Sequence, residues 1–277
     1  MLVLVVGFED LGWCSSGAHT SSGQSSPSSL SITFAADSNL EVNFLLTTAR
    51  FYVESGDSFD LVSGSPENSS LGVRNIDNEA QELHSAYPQD TVYAHTAGIA
   101  HYSSMAAGVG SDVSGILYDY EPGFEPEFTY NFTRTVLSFE NATVEAHAHG
   151  LLSVGYPIGR VLLDRAYLQY DWNYATLALA VDRLVVQTQT YCVQGASTFA
   201  TAISAALDEY KAAGLTTVPT FQVTIGNATT QLPNGVTATP AFDCAQDLST
   251  YGLHSLYVWF DEGGESNVIE FLQDLGR

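Results

Sequence analysis

Short apolar segments recur along the C-terminal two thirds of the chain, and longer amphipathic stretches separate them. Their starts lie 24 to 36 residues apart, and a parallel strand–helix–strand crossover needs about 30 residues. The pattern therefore predicts a succession of strand–helix units. The predicted strands are Thr91–Thr96, Gly115–Tyr120, Leu151–Tyr156, Arg183–Thr188, Val218–Thr224 and His254–Trp259.

The stretches between these strands have the spacing of amphipathic helices. Ser197–Ala213 is the clearest example, because Phe199, Ile203 and Tyr210 recur at helical spacing and Gly214 then ends the segment. The other predicted helices are Glu79–Tyr87, Phe132–His147, Tyr174–Ala180 and Asn267–Leu275.

The N-terminal third has a less regular pattern. Leu2–Gly7 predicts the first strand, which we interpret as part of the core rather than as a signal peptide, since Glu9 and Asp10 follow it at once. A segment rich in Ser and Gly near residues 15–29 predicts a mobile loop.

Two further elements complete the predicted fold. A helix begins at Asp37 or Ser38 and continues through Thr48, and Ala49–Glu54 forms the second strand. Ser31–Phe34 forms either an extra strand or part of a long loop.

The predicted strand count is eight, in a chain whose size suits a closed barrel of strands. The 277 residues, of which 45% are hydrophobic, can bury a sizeable core. No apolar run approaches the roughly 18 residues that a membrane span needs. We therefore predict an α/β protein that forms a single (β/α)8 TIM-barrel domain over residues 1–277, without a membrane span.

The charge balance is strongly acidic, with 31 acidic against 8 basic residues and a formal net charge of -23. The acidic share is ordinary, so the imbalance comes from missing bases. A protein adapted to acid has few cations, and a protein adapted to salt gains acids, so the composition favours the acid interpretation. Under either interpretation the charge argues against nucleic acids and anionic membranes as partners.

Four acceptor motifs for N-glycosylation favour an extracellular or cell-surface protein. They begin at Asn68, Asn131, Asn141 and Asn227.

The three cysteines have no spacing that is typical of a metal site. Cys192 and Cys244 both fall just beyond the ends of predicted strands, which allows one disulfide, but the pairing with Cys14 as a third candidate stays open. We expect neither a metal nor a cofactor.

The segment Ser114-Gly-Ile-Leu-Tyr-Asp-Tyr-Glu-Pro122 is the sharpest chemical feature of the chain. Side chains two residues apart on a strand share a face, so Asp119 and Glu121 are expected side by side at the C-terminal end of the fourth strand. Catalytic groups of a (β/α)8 barrel lie at that end. Two neighbouring acids can act as a proton donor and its partner, although strand-end acids also cap helices.

Other predicted strand ends carry polar and aromatic side chains that suit a sugar. An extended Arg183–Tyr191 segment would turn Gln187, Gln189 and Tyr191 to one face. The last strand would likewise turn Tyr257, Trp259 and Asp261 to one face. The remaining candidate binding residues are Tyr156, Tyr257, Trp259 and Asp261.

The fourth strand resembles the signature of the family 18 glycoside hydrolases, chitinase-like barrels that read Asp-Gly-X-Asp-X-Asp-X-Glu. The chain keeps Gly115, Asp119 and Glu121. It is also similar to the family in Tyr191 after strand six and Trp259 in strand eight, and the order of these motifs is preserved over about residues 110–262.

The resemblance implies a function and a role for each of these residues. Glu121 would protonate the glycosidic oxygen, and Asp119 would orient the acetamido group of the substrate, which attacks the anomeric carbon. Tyr191 would donate a hydrogen bond to the acetamido oxygen, and Trp259 would form the floor under the sugar. The expected function is a secreted glycoside hydrolase that cleaves an N-acetylated or related polysaccharide.

Three departures from the family pattern keep alternatives open. Ser114 and Leu117 replace the first two acids of the signature, and Cys192 follows Tyr191 where the family usually has an acid. A non-catalytic carbohydrate-binding protein, or a structural protein of the cell surface or of a filament, is therefore the alternative.

Acids and histidines near the site leave further choices. Glu125 and Glu127 are expected on a solvated loop that could supply a second carboxylate to a conventional glycosidase. His95 and His101 flank the end of strand three, where they either reach the mouth or belong to the core or to a loop.

Overall fold

The computed structural model describes most of the chain beyond residue 90 and short stretches before it. The described residues are 32–33, 41–46, 53–54, 58–61, 70–86, 91–122, 125–159, 172–226, 235–253, 255–260 and 265–275. The predicted strand Leu2–Gly7 and the predicted loop at 15–29 lie outside them.

The strands and helices alternate along the described chain. The strands are β1 (Ile32–Thr33), β2 (Glu41–Leu46), β3 (Val53–Glu54), β4 (Ser58–Leu61), β5 (Thr91–Ala97), β6 (Gly115–Tyr120), β7 (Leu152–Pro157), β8 (Arg183–Val186), β9 (Thr220–Ile225) and β10 (Ser255–Phe260). The helices are α1 (Ser70–Ala86), α2 (Ile99–Gly108), α3 (Phe132–Ala148), α4 (Tyr174–Leu179), α5 (Gln189–Val193), α6 (Ala196–Ala212), α7 (Ala238–Thr250) and α8 (Glu265–Asp274).

Eight parallel strands close into a barrel in the order β10-β2-β4-β5-β6-β7-β8-β9. Closure comes from β10, which pairs with β9 on one side and with β2 on the other. The remaining strands β1 and β3 pair only with each other in a separate two-stranded sheet. The prediction of an α/β barrel with eight parallel strands is confirmed.

The sequence misplaced the first two barrel strands. The helix predicted from Asp37 or Ser38 through Thr48 is wrong, because Glu41–Leu46 is the first strand of the barrel. Within the predicted strand Ala49–Glu54 the structure describes Val53–Glu54, which pair with β1 outside the barrel, and Ser58–Leu61 is the second barrel strand. Periodicity cannot separate a helix from a strand in so short an apolar run, and pairing with β10 decides.

The helix predictions are closer to the structure. Four of them agree within two residues of their observed ends, and α1 begins nine residues before the predicted Glu79. The sequence interpretation missed α2, α5 and α7. The start of α2 was missed because the residue before the helix is Gly98, which has no side chain that could be recognised as a cap. Its backbone φ is 100°.

Alternation along the barrel strands separates two apolar layers. On β6, Ile116, Tyr118 and Tyr120 face outward and pack with the helices in the larger cluster. Leu117 faces inward, into a second cluster that fills the barrel axis. The members of this inner cluster are Tyr93, Leu117, Val154, Tyr156, Val185 and Tyr257, with Trp259 packed against them.

A disulfide joins Cys192 on α5 to Cys244 on α7 across 52 residues. The sequence predicted that Cys244 falls just beyond a strand end, but the residue lies within α7. The bond ties the five-residue helix that follows β8 to the outer helical layer, and a cross-link of this span stabilises a fold by about 2–4 kcal/mol.

Gly115, which begins β6, provides a test of strand packing. A Cβ at this position would lie 2.6 Å from the carbonyl oxygen of Leu152 and 2.9 Å from Cδ1 of Tyr93. We expect Gly115→Ala to lower the free energy of unfolding by about 1–3 kcal/mol, since β6 and β7 must move apart. Urea unfolding measures the loss. Gly110→Ala is the control, because its Cβ would meet nothing closer than 3.4 Å; equal stability of the two variants would contradict the expectation.

Buried tyrosines predict how the fold responds to alkali. Burial raises the pKa of Tyr102 above that of an ordinary tyrosine, to about 12, and also raises the pKa values of Tyr118, Tyr174 and Tyr210. A phenol whose folded pKa lies above its unfolded pKa destabilises the fold only above the unfolded value. The contribution of these phenols to stability is therefore complete below about pH 10 and falls by about 1.4 kcal/mol per pH unit for each phenol as the pH rises from its unfolded pKa to its folded pKa.

The expected result is that tyrosinate absorbance at 295 nm from these groups develops together with the loss of circular dichroism. Tyr102→Phe should move this transition to higher pH. Complete ionisation of every tyrosine with an unchanged circular dichroism spectrum would refute the prediction.

Candidate functional site

The candidate site is built around Asp119, at the end of β6 where the C-terminal ends of the barrel strands form the mouth. Its side chain faces the barrel interior, in line with Leu117, and is only 4% exposed. A buried carboxylate loses hydration and must be compensated by hydrogen bonds or an opposite charge. Its partners therefore define the site.

Each carboxylate oxygen of Asp119 has a partner elsewhere in the barrel, one on β5 and one just beyond the end of β8. Nε2 of His95 on β5 lies 3.3 Å from Oδ2, and Nε2 of Gln187 donates to Oδ1 at 3.0 Å. The same amide nitrogen of Gln187 donates to the carbonyl oxygen of Tyr156 at 3.3 Å. His95 is 5% and Gln187 4% exposed, so the three polar side chains form one buried group.

A second polar chain lies beside this group inside the barrel. The hydroxyl of Tyr156 on β7 donates to Oε1 of Gln222 on β9, and Nε2 of Gln222 donates to Oγ1 of Thr224 at 3.3 Å. The sequence interpretation missed Gln222. The signal was present, because Thr220, Gln222 and Thr224 alternate with apolar residues along β9.

Aromatic side chains border the polar groups. The ring of Tyr156 lies 6.4 Å from that of His95 and 5.6 Å from that of Tyr257. Tyr257 is buried, whereas Trp259, two residues further along β10, is half-buried and packs against the inner cluster. The third candidate of the last strand region, Asp261, lies outside the described residues.

Glu121 follows β6 directly and is half-buried at the mouth. The turn that carries it is fixed by Glu125, whose backbone N–H donates to the carbonyl oxygen of Glu121 at 3.1 Å. Side-chain oxygens of Glu125 accept from the N–H groups of Ile99 and Glu127, both at 2.9 Å, and from the hydroxyl of Tyr118. The turn is thus anchored to the start of α2.

The expectation of a solvated loop is wrong for Glu125 and correct for Glu127. Glu125 is 3% exposed and faces the layer between barrel and helices, because its carboxylate completes the N-terminal end of α2, whereas Glu127 is exposed. Its oxygens are engaged there by two amides and a phenol. The structure gives no support for Glu125 as a second carboxylate of the site.

The strand predicted to run through Tyr191 ends at Val186, and Gln189 and Tyr191 lie on α5. Nε2 of Gln189 still reaches Oε1 of Gln187 at 3.5 Å. The hydroxyl of Tyr191 donates to the carbonyl oxygen of Gly159 at 2.8 Å, and its ring packs in the outer cluster. The alternation assumed for these residues is therefore wrong, because the chain turns into a helix that the disulfide holds in the outer layer.

The described residues thus place one buried carboxylate, one half-buried carboxylate, several amides and aromatic rings at one end of the barrel. Within the described ranges, no group of three or more His, Cys, Asp or Glu residues could hold a metal ion. None of the helices in the same ranges is long and apolar enough to cross a membrane. The arrangement suits proton transfer and the binding of a hydroxyl- and amide-bearing ligand.

No family model matches the sequence, and no curated protein matches it. Solved structures do resemble the fold. A GH18 chitinase from Pseudoalteromonas aurantia is 13% identical with a TM-score of 0.56, and the match covers 84% of this chain and 97% of that one. The Ostrinia furnacalis Group IV chitinase is 12% identical with a TM-score of 0.53, and the match covers 85% and 98% of the two chains.

A third similar structure is the PgaB (BpsB) glycoside hydrolase domain from Bordetella bronchiseptica. It is 9% identical with a TM-score of 0.54, and the match covers 79% of this chain and 88% of that domain. At these identities the likeness concerns the fold alone. The chain therefore has a GH18-like, chitinase-like barrel fold, and the low identities fit a degenerate form of the strand-four signature.

Proposed function

We propose that the protein is a glycoside hydrolase that acts on an N-acetylated or related polysaccharide. Glu121 would protonate the glycosidic oxygen, and Asp119 would orient the acetamido group of the substrate. The observation that carries the proposal is the pair itself: a buried, hydrogen-bonded Asp119 lies two residues before a half-buried Glu121 at the mouth of a chitinase-like barrel.

The different environments of the two acids support different roles. Asp119 is held by His95 and Gln187, so its orientation is set before a substrate arrives. Glu121 is nearer solvent and on a turn that Glu125 anchors, so it can exchange its proton with water between turnovers.

The surroundings of the acids suit a sugar ring. Trp259 is half-buried beside the buried Tyr257, and an aromatic face at the mouth can stack on a pyranose. Gln187, Gln189 and Tyr156 add amides and a phenol that can bind hydroxyl or acetamido groups.

A non-catalytic carbohydrate-binding or structural protein is the second candidate. Leu117 favours it, because this residue replaces the middle acid of the signature and is fully buried in the inner apolar cluster. Asp119 then has no acidic neighbour on its own strand, and such a barrel would bind a glycan without releasing a product.

Surface features support a location outside the cell or on its surface. The disulfide between Cys192 and Cys244 suits an oxidising compartment. Asn131 and Asn141 are exposed, and Asn131 uses only its side-chain oxygen to cap α3, through the N–H of Arg134. Both can carry a glycan; Asn68 and Asn227 lie outside the described residues.

The decisive variant is Glu121→Gln, which keeps the size of the side chain and removes its proton. We expect a loss of hydrolysis of about 10²–10⁴-fold on N-acetylated oligosaccharides, with folding and glycan binding retained, because general acid catalysis contributes that much. Product release across a pH series measures turnover, and calorimetry measures binding.

Glu127→Gln is the matched control, since Glu127 is exposed and its side chain takes no part in the proposed chemistry. Unchanged turnover in Glu121→Gln would refute the assignment. Saturable glycan binding by the wild type without any product would favour the second candidate.

A further inference from the structure

We propose that His95 is a positioning residue of the active site, which with Gln187 forms a two-sided clamp that keeps the Asp119 carboxylate ionised and aimed at the substrate. The inference rests on the proposed function and deepens it. No role was assigned to His95 from the sequence, which left it between the mouth, the core and a loop.

The clamp follows from the barrel register. In the register of β5 with β6, His95 pairs with Leu117 and Ala97 pairs with Asp119. The imidazole therefore lies on the neighbouring strand, two residues closer to the N-terminal end of the barrel than the carboxylate. Its Nε2 reaches Oδ2 at 3.3 Å, while Gln187 reaches Oδ1 at 3.0 Å from the other side, across β7. The two partners therefore approach the carboxylate from opposite sides.

Charge explains why the partner is a histidine. Asp119 is 4% exposed, and an isolated carboxylate at that depth would take up a proton rather than remain charged. The amide of Gln187 donates a hydrogen bond but carries no charge. The imidazole is the one partner in this clamp that can carry a positive charge, and it is itself 5% exposed, so the pair interacts in a medium that screens it poorly.

The neighbouring strand β4 carries one carboxylate residue, Asp60, in register with Tyr93 of β5; the other titratable residues considered next lie on β5, β6 and β7. From the described strands that pack against it, Asp119 faces it from β6 and the phenol of Tyr156 from β7, with ring centroids 6.4 Å apart. Tyr93 lies two residues earlier on the same strand and shares the interior face. The carboxylate is the only one of these three that is negatively charged at neutral pH.

The chain offers a matched control in a second histidine–carboxylate pair. Nε2 of His147 lies 2.9 Å from Oδ2 of Asp182, close to the N-terminal end of the barrel, and 53% of the His147 side chain is exposed. This pair has the same chemistry without burial and without access to the mouth. It separates the effect of a clamp at the site from that of a surface ion pair.

The first experiment does not depend on catalysis. The ring nitrogens of ¹⁵N-histidine-labelled protein are titrated by NMR in the wild type and in Asp119→Asn, with His95 assigned through His95→Gln. We expect the deprotonation midpoint of His95 to move to lower pH by about one unit or more in Asp119→Asn, because the nearest negative charge is gone. The midpoint of His147 should not move. An unchanged His95 midpoint would overturn the proposal.

The second experiment uses hydrolysis of an N-acetylated oligosaccharide. His95→Leu should lower kcat by about tenfold or more with KM changed less than about threefold, since misdirecting Asp119 costs reactivity more than binding. His95→Gln, whose amide can reach the position of Nε2, should recover part of the loss, and His147→Asn should equal the wild type. A wild-type kcat in His95→Leu would overturn the proposal.

The two experiments separate failure of the inference from failure of the proposed function. A wild type that cleaves no glycan contradicts the hydrolase, and the titration of His95 then decides the clamp by itself. If His95→Leu does not fold, the comparison of His95→Gln with the wild type replaces it, and equal kcat values and pH profiles for those two proteins would refute a role for the imidazole charge.

Discussion

A carboxylate that is withdrawn from water keeps its charge only if the protein replaces the lost hydration. Asp119 is in this position, and the mouth of the barrel is arranged around it: an imidazole from β5, an amide from just beyond β8, and aromatic rings from β7 and β10. These groups come from strands that are distant in sequence, so the site exists only when the barrel is closed. Because the buried Asp119 needs hydrogen-bond partners from several strands, the candidate site depends on closure of the barrel.

The opposite face of the same strand shows how β6 is held in place. Tyr118 and Tyr120 point outward, and their rings lie 5.3 and 5.6 Å from that of Phe139 on α3. Tyr118 also donates to the buried Glu125, which anchors the turn that carries Glu121. One strand therefore packs aromatic rings into the outer layer and presents an acid to the interior, and the turn after it is stabilised from the outer layer.

The site was partly predictable from local pattern. Alternation along Gly115–Tyr120 placed Asp119 on the interior face, and alternation along Ser255–Phe260 did the same for Tyr257 and Trp259, since strand geometry is local. It failed for Tyr191, because the extended segment ends at Val186 and the following residues form a helix. Alternation along β9 also placed Gln222 on the interior face, although this signal was missed. His95 was not assigned because its importance comes from a cross-strand partner that no sequence spacing displays.

The amino-acid sequence by itself determined the class of fold, through the spacing of apolar strands from Thr91 onward, and it determined which residues of a strand share a face. It did not determine the first two barrel strands, because Glu41–Leu46 is too short for its periodicity to exclude a helix and becomes a strand by pairing with β10. Only the tertiary structure decided that Asp119 is clamped by His95 and Gln187 and that Glu125 is buried. Hydrogen bonds and charge compensation between strands depend on closure of the barrel, which is a property of the whole chain and not of any segment.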